Sequence, residues 1–440
     1  MKSYRLLILA GDEIPFEWLE QLNHTLRFNQ GFQKENRTIK LRINNQLAHK
    51  TIYNVIGTIT GRLEPNRYVF LGNHRDSWIY GAADALTGMS VLTETGRVLG
   101  RLLKKGWRPR RTIKLCNFGG EEFGLIGSVE WMEENSLIFK QRGVAYLNTD
   151  VPVQGNYTLL AQTGPLLGSV IYKWTKMVKV PTEEGKYESM YNVMLKRGPE
   201  PLTQGEPRLW RYQFASDYIP FYFMAGIPSA DFSYFYGYDK VKDDWQLYPS
   251  YHTQEDTFYW VKQFADPKFE IHRAMTLLMG GMLLDLADSR IIPLDLPRLN
   301  HSLHQAQSSI ISLSTSFPND KSVFDGLSAV NRSLHEFARA CDSFVSAVLE
   351  TSSKEKAESV TLQTLNNQLT QVGKAFIDSR VLNANPVIFQ HVLGAGKFVG
   401  VSNAVNTNDT SKIQEQLSIV SVAISTAAKI LQPMRILSEG

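Results

Sequence analysis

Hydrophobic residues follow two different rhythms along this chain. From Ile52 onward, short apolar runs rich in β-branched and aromatic residues alternate with stretches of helical spacing. Tyr53–Ile59, Tyr68–Leu71, Thr112–Phe118 and Val144–Asn148 read as strands. Between them, Leu86–Leu103 repeats Val91, Leu92, Val98, Leu99 and Leu102 at helical intervals and ends near Gly106, and Gly127–Asn135 reads as a short helix. Strands alternating with helices predict βαβ units on a largely parallel sheet. In such sheets, functional residues gather outside the carboxyl ends of the strands. From about Pro293 the rhythm changes: strand signals fade, Ser, Ala, Leu, Gln and Asn dominate, and Leu303–Leu313, Val323–Leu349, Glu358–Phe376 and Ser411–Leu431 carry helix-like periodicity. This predicts a second, helical domain, with Pro293 and Pro297 marking the boundary. Residues 1–50 are mixed and polar around an isolated strand-like run, Leu6–Ala10.

Composition narrows the functional classes. The 440 residues leave room for two or three domains. Lys+Arg is 47 against 43 for Asp+Glu, a formal charge of +4, which does not point to a nucleic-acid partner. The densest basic run, Arg108–Arg111 after Lys104 and Lys105, reads as a solvated turn. Two cysteines, Cys116 and Cys341, are too few for a disulfide framework, and the apolar neighbours of Cys116 make it a core thiol. No segment reaches the roughly 20 apolar residues of a membrane span. Ala274–Leu286 is short and contains Asp285, which favours a buried helix. Leu6–Ala10, after Lys2 and Arg5, is too short for a signal-peptide core, so the chain as written has no signal or anchor. Sequons at Asn23, Asn36, Asn156, Asn300, Asn331 and Asn408 leave room for a secreted glycoprotein ancestry.

The strand ends concentrate the chemistry. The run Tyr68–Asn73 leads into His74, Arg75 and Asp76, and Asp84 follows ten residues after His74. The third strand ends in Gly119-Gly120-Glu121-Glu122, the fourth in Asn148-Thr149-Asp150, and Tyr251-His252 lies in a later polar loop. Each residue alone has an ordinary reading: a structural histidine, a helix-capping aspartate, a solvated glutamate pair. Together they are carboxylates at sheet ends with few basic partners, and they repel one another unless a cation lies between them. Imidazole with carboxylate suits zinc or a similar divalent ion. Five ligands with one bridging would hold two metals, as in two-metal hydrolases. Within the pair Glu121-Glu122, one carboxylate can ligate while the other serves as a base. Asp76, two residues from His74, is placed to orient the imidazole from behind; a plain turn residue is the competing reading.

Four blocks then match a known family: Gly72-Asn73-His74-Arg75-Asp76-Ser77-Trp78, Glu121-Glu122-Phe123-Gly124-Leu125-Ile126-Gly127-Ser128, Val144-Ala145-Tyr146-Leu147-Asn148-Thr149-Asp150 and Tyr248-Pro249-Ser250-Tyr251-His252-Thr253. They resemble the glutamate carboxypeptidase II and transferrin receptor family of zinc exopeptidases, above all its N-acetylated-alpha-linked acidic dipeptidase-like aminopeptidases. The resemblance runs from about Thr51 to the C-terminus. It implies an α/β fold, a zinc-exopeptidase-like α/β/α sandwich with a mostly parallel central sheet followed by a helical, dimerisation-like domain. It implies two zinc ions, one on His74 and Asp150, the other on Glu122 and His252, with Asp84 bridging. It further implies Glu121 as general base toward a metal-bridging hydroxide and Tyr251 as donor to the developing oxyanion. Ser216 and Lys397 match substrate-contacting positions, and Glu130 and Glu133 match two ligands of a structural calcium. A peptide substrate, a homodimer through the helical domain and a place on the extracellular face of a membrane, by an anchor upstream of these residues, are implied as well.

The departures limit what carries over. Arginines that clamp acidic side chains in glutamate-selective members align with Asp231, Ser233 and Leu160, none of them basic, so strict preference for acidic peptides is not expected. The asparagine position holds Ser216, and the tyrosine beside the terminal-carboxylate lysine is Phe398. Residues 1–51 match only the last part of a protease-associated apical domain, which leaves 52–292 as a zinc peptidase domain without its opening piece and 293–440 as the helical domain. Three readings stay open: a di-zinc exopeptidase of short peptides, a receptor- or scaffold-like relative that kept the fold without catalysis, and a truncated chain with an intact metal site. All five metal ligands are present, which argues for the enzyme.

Overall fold

The structure, a computed structural model, describes Ala10–Glu13, Arg27–Gly31, Lys40 and residues 42–432 apart from 183–184, 199–204, 213–214, 240–243, 354–358, 384, 386 and 395. The chain divides into two compact units, Met1–Thr51 and Ile52–Gly440. In the first, β1 (Ala10–Glu13) and β2 (Arg27–Gly31) pair antiparallel. Of the expected strand Leu6–Ala10, only Ala10 lies among the described residues.

The second unit is built on a six-stranded sheet. Its strands are β3 (Val55–Ile59), β4 (Glu64–His74), β5 (Arg111–Phe118), β6 (Gly143–Asn148), β7 (Thr158–Thr163) and a later strand, Ser229–Phe235. From edge to edge the order is β3, β5, β4, β6, Ser229–Phe235, β7. The four central strands run parallel, and both edge strands are antiparallel to their neighbours. The long helix α1 (Leu86–Lys104) carries the chain from β4 to β5, and α2 (Ile126–Glu134) with α3 (Ser136–Arg142) carries it from β5 to β6. β5 and β6 thus flank β4 on opposite sides, so the strand order reverses there. A crevice outside the carboxyl ends of the strands at such a reversal is the usual ligand site of this sheet type.

Alternation along β4 explains the layering. Val69 and Leu71 face a core with α1 residues Val91, Leu92 and Leu99 and with the helix Glu270–Asp288, whereas Phe70 faces Met132 of α2, Phe139 of α3 and Phe221. Helices thus cover both faces of a mostly parallel sheet, and β6 is buried along its whole length. The expected buried helix at Ala274–Leu286 is the middle of Glu270–Asp288, and its Asp285 accepts hydrogen bonds from Lys173 Nζ at 2.6 Å and Trp174 Nε1 at 2.9 Å.

Beyond it the chain is mainly helical, with Leu296–Ser308, Leu313–Ser316, Lys321–Ser353, Ser359–Val372, Val399–Val405 and Thr410–Leu431, and one short hairpin of Leu393–Gly394 and Lys397–Phe398. Pro297, expected between domains, instead lies in the first turn of Leu296–Ser308, where its missing N–H costs nothing and Asp295 caps the Arg298 amide at 3.0 Å. Among the described residues no helix is long and apolar enough to cross a membrane.

Candidate metal centre

His74 ends β4 and is 1% exposed. Its Nδ1 lies 3.0 Å from the carbonyl oxygen of Asp76. A carbonyl only accepts, so Nδ1 carries the proton and Nε2 is turned the other way. That nitrogen faces two carboxylates, Asp150 Oδ1 at 2.8 Å and Asp84 Oδ1 at 3.2 Å. The second oxygen of Asp84, Oδ2, lies 3.0 Å from His252 Nε2, which is also 3.1 Å from Glu122 Oε2. Two triads result, His74–Asp84–Asp150 and Asp84–Glu122–His252, each with ligand atoms within 4.8 Å of one another. Asp84 belongs to both.

These groups fit divalent cations. Asp84 Oδ1 and Glu122 Oε1 are shut off from solvent without a hydrogen bond, a costly condition for carboxylate oxygens. Burial, reinforced by Asp150 and other neighbouring carboxylates, pushes Glu121 up to about 10; burial and Asp84 push Glu122 up to about 7. Burial alone would lower the His74 pKa, yet the adjacent Asp150 carboxylate, helped by Asp76 and Asp84, holds it well above the usual histidine range. A cation among these oxygens and imidazole nitrogens would relieve the repulsion and replace the second proton on each ring.

The loops that deliver the ligands are tied down by side chains. Asp76 accepts the backbone N–H groups of Glu121 at 3.1 Å and Glu122 at 3.2 Å. Its carboxylate was expected to orient His74, but that carboxylate is 3.8 Å from Nδ1, and the orienting contact comes from the Asp76 main chain. Burial raises the Asp76 carboxyl, but the nearby His74 ring and hydrogen bonds from the two amides prevail and hold it at about 2. On the other side, Asp256 accepts the Ala83 amide at 2.7 Å, the Asp84 amide at 3.1 Å and the Tyr248 hydroxyl at 3.0 Å. His252 itself sits at φ 57°, a left-handed conformation that costs a non-glycine residue of order 1–3 kcal/mol and clusters at functional sites.

Known proteins can now be set beside this geometry. Residues 54–266 match peptidase family M28, and residues 321–432 match the transferrin receptor-like dimerisation domain. Across residues 54–266 the chain is similar to peptidase family M28. It is 35% identical to aminopeptidase NAALADL1 of Mus musculus over 97% of its length, and 34% identical to the probable glutamate carboxypeptidase AMP1 of Arabidopsis thaliana, again over 97%. It spans 59% and 58% of the lengths of those two relatives. A solved zinc aminopeptidase from Bacillus subtilis aligns at 21% identity over 54% of this chain and 50% of its own, with a TM-score of 0.38.

The remaining positions singled out by the resemblance lie in contrasting surroundings. Glu121 lines a cleft of about 440 Å³ together with Glu122, His252 and Tyr251, whose ring stacks on His252 at 3.8 Å. Ser216, matched to a substrate contact, is 2% exposed, and its hydroxyl donates to Asp150 Oδ2 at 2.5 Å while accepting from Asn148 Nδ2 at 2.7 Å. Asn148 also donates to Asp231 at 2.9 Å, and Asp231 accepts from Gln162 at 3.1 Å. The two positions that hold arginines in glutamate-selective members, Asp231 and Ser233, are therefore buried and engaged, and Leu160 is fully buried. Lys397 is exposed on a short hairpin and is not among the described residues lining the cleft. Glu130 and Glu133 are exposed on α2, and neither belongs to a metal-competent cluster among the described residues. Two carboxylates supply at most four of the six to eight oxygens calcium takes.

Asp256, Asn148 and Asp231 escape sequence reasoning as site supports. An aspartate before a helix reads as a cap, and the bonds that tie Asn148 to Ser216 and Asp231, and Asp231 to Gln162, join residues far apart in sequence.

Proposed function

We propose that this chain is a di-zinc exopeptidase of short peptides that is not restricted to acidic substrates. The observation that carries the reading is Asp84, whose two oxygens face the two imidazoles at 3.2 and 3.0 Å, the arrangement expected of a carboxylate bridging two metals. His74 and Asp150 would hold one zinc, Glu122 and His252 the other. Bound zinc supplies Lewis acidity that polarises the peptide carbonyl and makes water acidic enough to ionise near neutral pH.

The protein's own residues do the rest. Glu121 lies beside the ligands but outside both triads, so its carboxylate is free to take a proton and pass it to the leaving amine. The Tyr251 phenol, kept protonated by burial and by the carboxylates Asp84, Asp150, Glu122 and Glu121, donates to oxygen that becomes negative in the transition state. Asp76 fixes the turn that carries Glu121. The substrate breadth rests on Asp231, Ser233 and Leu160, which offer no guanidinium fork for a carboxylate. A second copy would pair through the helical part, by its likeness to the transferrin receptor-like dimerisation domain.

The test is metal analysis combined with hydrolysis of a dipeptide panel. Purified chain is expected to hold two zinc ions, and Glu121→Gln is expected to keep both while losing hydrolysis. Folded protein that binds no zinc overturns the reading.

A further inference from the structure

The proposed chemistry occupies every charged group lining the cleft. Glu121, Glu122 and His252 belong to it, and the other lining residues are Trp78, Gly124, Leu125, Ala215 and Tyr251. Among the described residues no lysine or arginine reaches this wall. A substrate side chain entering here therefore meets apolar and aromatic surface.

Trp78 of this wall pairs with Phe123 beside it, an aromatic surface that the metal site does not need. Trp78 is 48% exposed and Phe123 is 68% exposed. Their ring centroids are 5.0 Å apart, and Trp78 stands edge-on to His252 at 6.1 Å. The two rings come from different loops, one after β4 and one after β5. Both loops are anchored on Asp76, which precedes Trp78 by two residues and accepts the Glu121 and Glu122 amides. Left-handed backbone at Gly124 (φ 106°) and Leu125 (φ 61°) turns the chain sharply just after Phe123. Two adjacent exposed rings held at a cleft edge mark a recognition surface rather than scattered surface apolarity.

We infer that Trp78, backed by Phe123, recognises a large apolar side chain of the substrate residue beside the scissile bond, on the Glu122–His252 side of the metal cluster. The favoured substrates are short peptides with phenylalanine, leucine or methionine at that position, in preference to glutamate or lysine. The inference rests on the exopeptidase reading above. It deepens that reading, because an absent arginine clamp says only what is not selected.

The full zinc-loaded chain is assayed on dipeptides that pair glycine with phenylalanine, leucine, alanine, glutamate or lysine in either order, with kcat and KM separated. A hydrophobic pocket discriminates by about 10–200-fold, so phenylalanine or leucine at one of the two positions is expected to exceed alanine and glutamate by about tenfold or more in kcat/KM. Phe123→Ala and Trp78→Leu are expected to reduce the phenylalanine-to-alanine ratio severalfold with two zinc ions retained. Preference for a charged side chain, or an equal loss across the whole panel in both variants, overturns the inference and leaves the exopeptidase reading standing. Zinc-loaded wild-type chain that hydrolyses no dipeptide overturns the exopeptidase reading itself, and the inference with it.

Discussion

Asp76→Ala is a sharp test of how the centre is held together. The substitution removes the acceptor of the Glu121 and Glu122 amides, at 3.1 and 3.2 Å, and leaves the Asp76 carbonyl that orients His74 in place. Hydrogen bonds to a charged acceptor contribute roughly 1.5–3 kcal/mol each when dry. The Asp76 side chain is 23% exposed, so water can reach part of the vacated space. A net loss of about 2–3 kcal/mol is the expected outcome, read from urea midpoints at constant m. The kinetic effect should exceed the stability effect, because Glu121 and Glu122 ride on the freed turn. Misplacement of a catalytic group by about 1 Å can lower the rate about 100-fold. The assay is kcat/KM on one good dipeptide, with zinc content measured on the same samples. A variant with full zinc, a stability within about 0.5 kcal/mol of wild type and unaltered kcat/KM would refute the claim that Asp76 sets the turn.

Other substitutions probe separate parts of the argument. His391 is buried between Tyr222 at 4.4 Å and Phe376 at 6.0 Å, burial depresses its pKa to about 3, and the Leu393 amide donates to Nδ1. The unfolded chain therefore binds a proton that the folded chain does not between about pH 6.5 and 3, so stability should fall as pH drops through that window, by up to about 1.4 kcal/mol per unit. His391→Gln should flatten the slope between pH 6 and 4, and equal slopes in denaturation series of both proteins would count against it. A Cβ at Gly88 would lie 1.8 Å from the Thr149 carbonyl and 2.5 Å from that of Asp150. Gly88→Ala should therefore cost about 3 kcal/mol and loosen zinc on the Asp150 side, seen in urea unfolding and metal content. Asp256→Ala strands the Ala83 and Asp84 amides behind the Asp84 carboxylate shared by both triads. It should weaken zinc about 10–100-fold in chelator competition, and an unchanged affinity would speak against that support.

The parts of this molecule that sequence made legible share a physical property. Val69–His74 of β4, most of β5 and all of β6 are buried, so they read as apolar runs, and their polar ends mark where the sheet meets the cleft. The candidate ligands His74, Asp84, Glu122, Asp150 and His252 stood out because carboxylates and imidazoles collected at those ends. Ser229–Phe235 was not legible as a core strand. Its Ser229, Asp231 and Ser233 mimic the polar face of a half-exposed strand, yet all seven residues are buried. Asn148, Gln162 and Gln154 meet Asp231 and Ser233 from other elements, and that pairing exists only in three dimensions. Asp76 was legible only in part: its carbonyl meets His74, as proximity in sequence suggested, whereas its carboxylate holds amides 45 and 46 residues away.

One continuous apolar core runs from Val69 and Leu71 of β4 through Leu278 and Leu286 to Leu299, Phe337, Ile424 and Leu431 of the C-terminal helices. Asn366 reinforces it by bonding both the Ile292 amide and the Arg290 carbonyl at 2.9 Å. The peptidase-like and dimerisation-like segments are distinguishable by ancestry, but they share their interior. Heat or denaturant should therefore melt them in a single cooperative transition, and a cut between them would leave each half with a greasy wound rather than a domain.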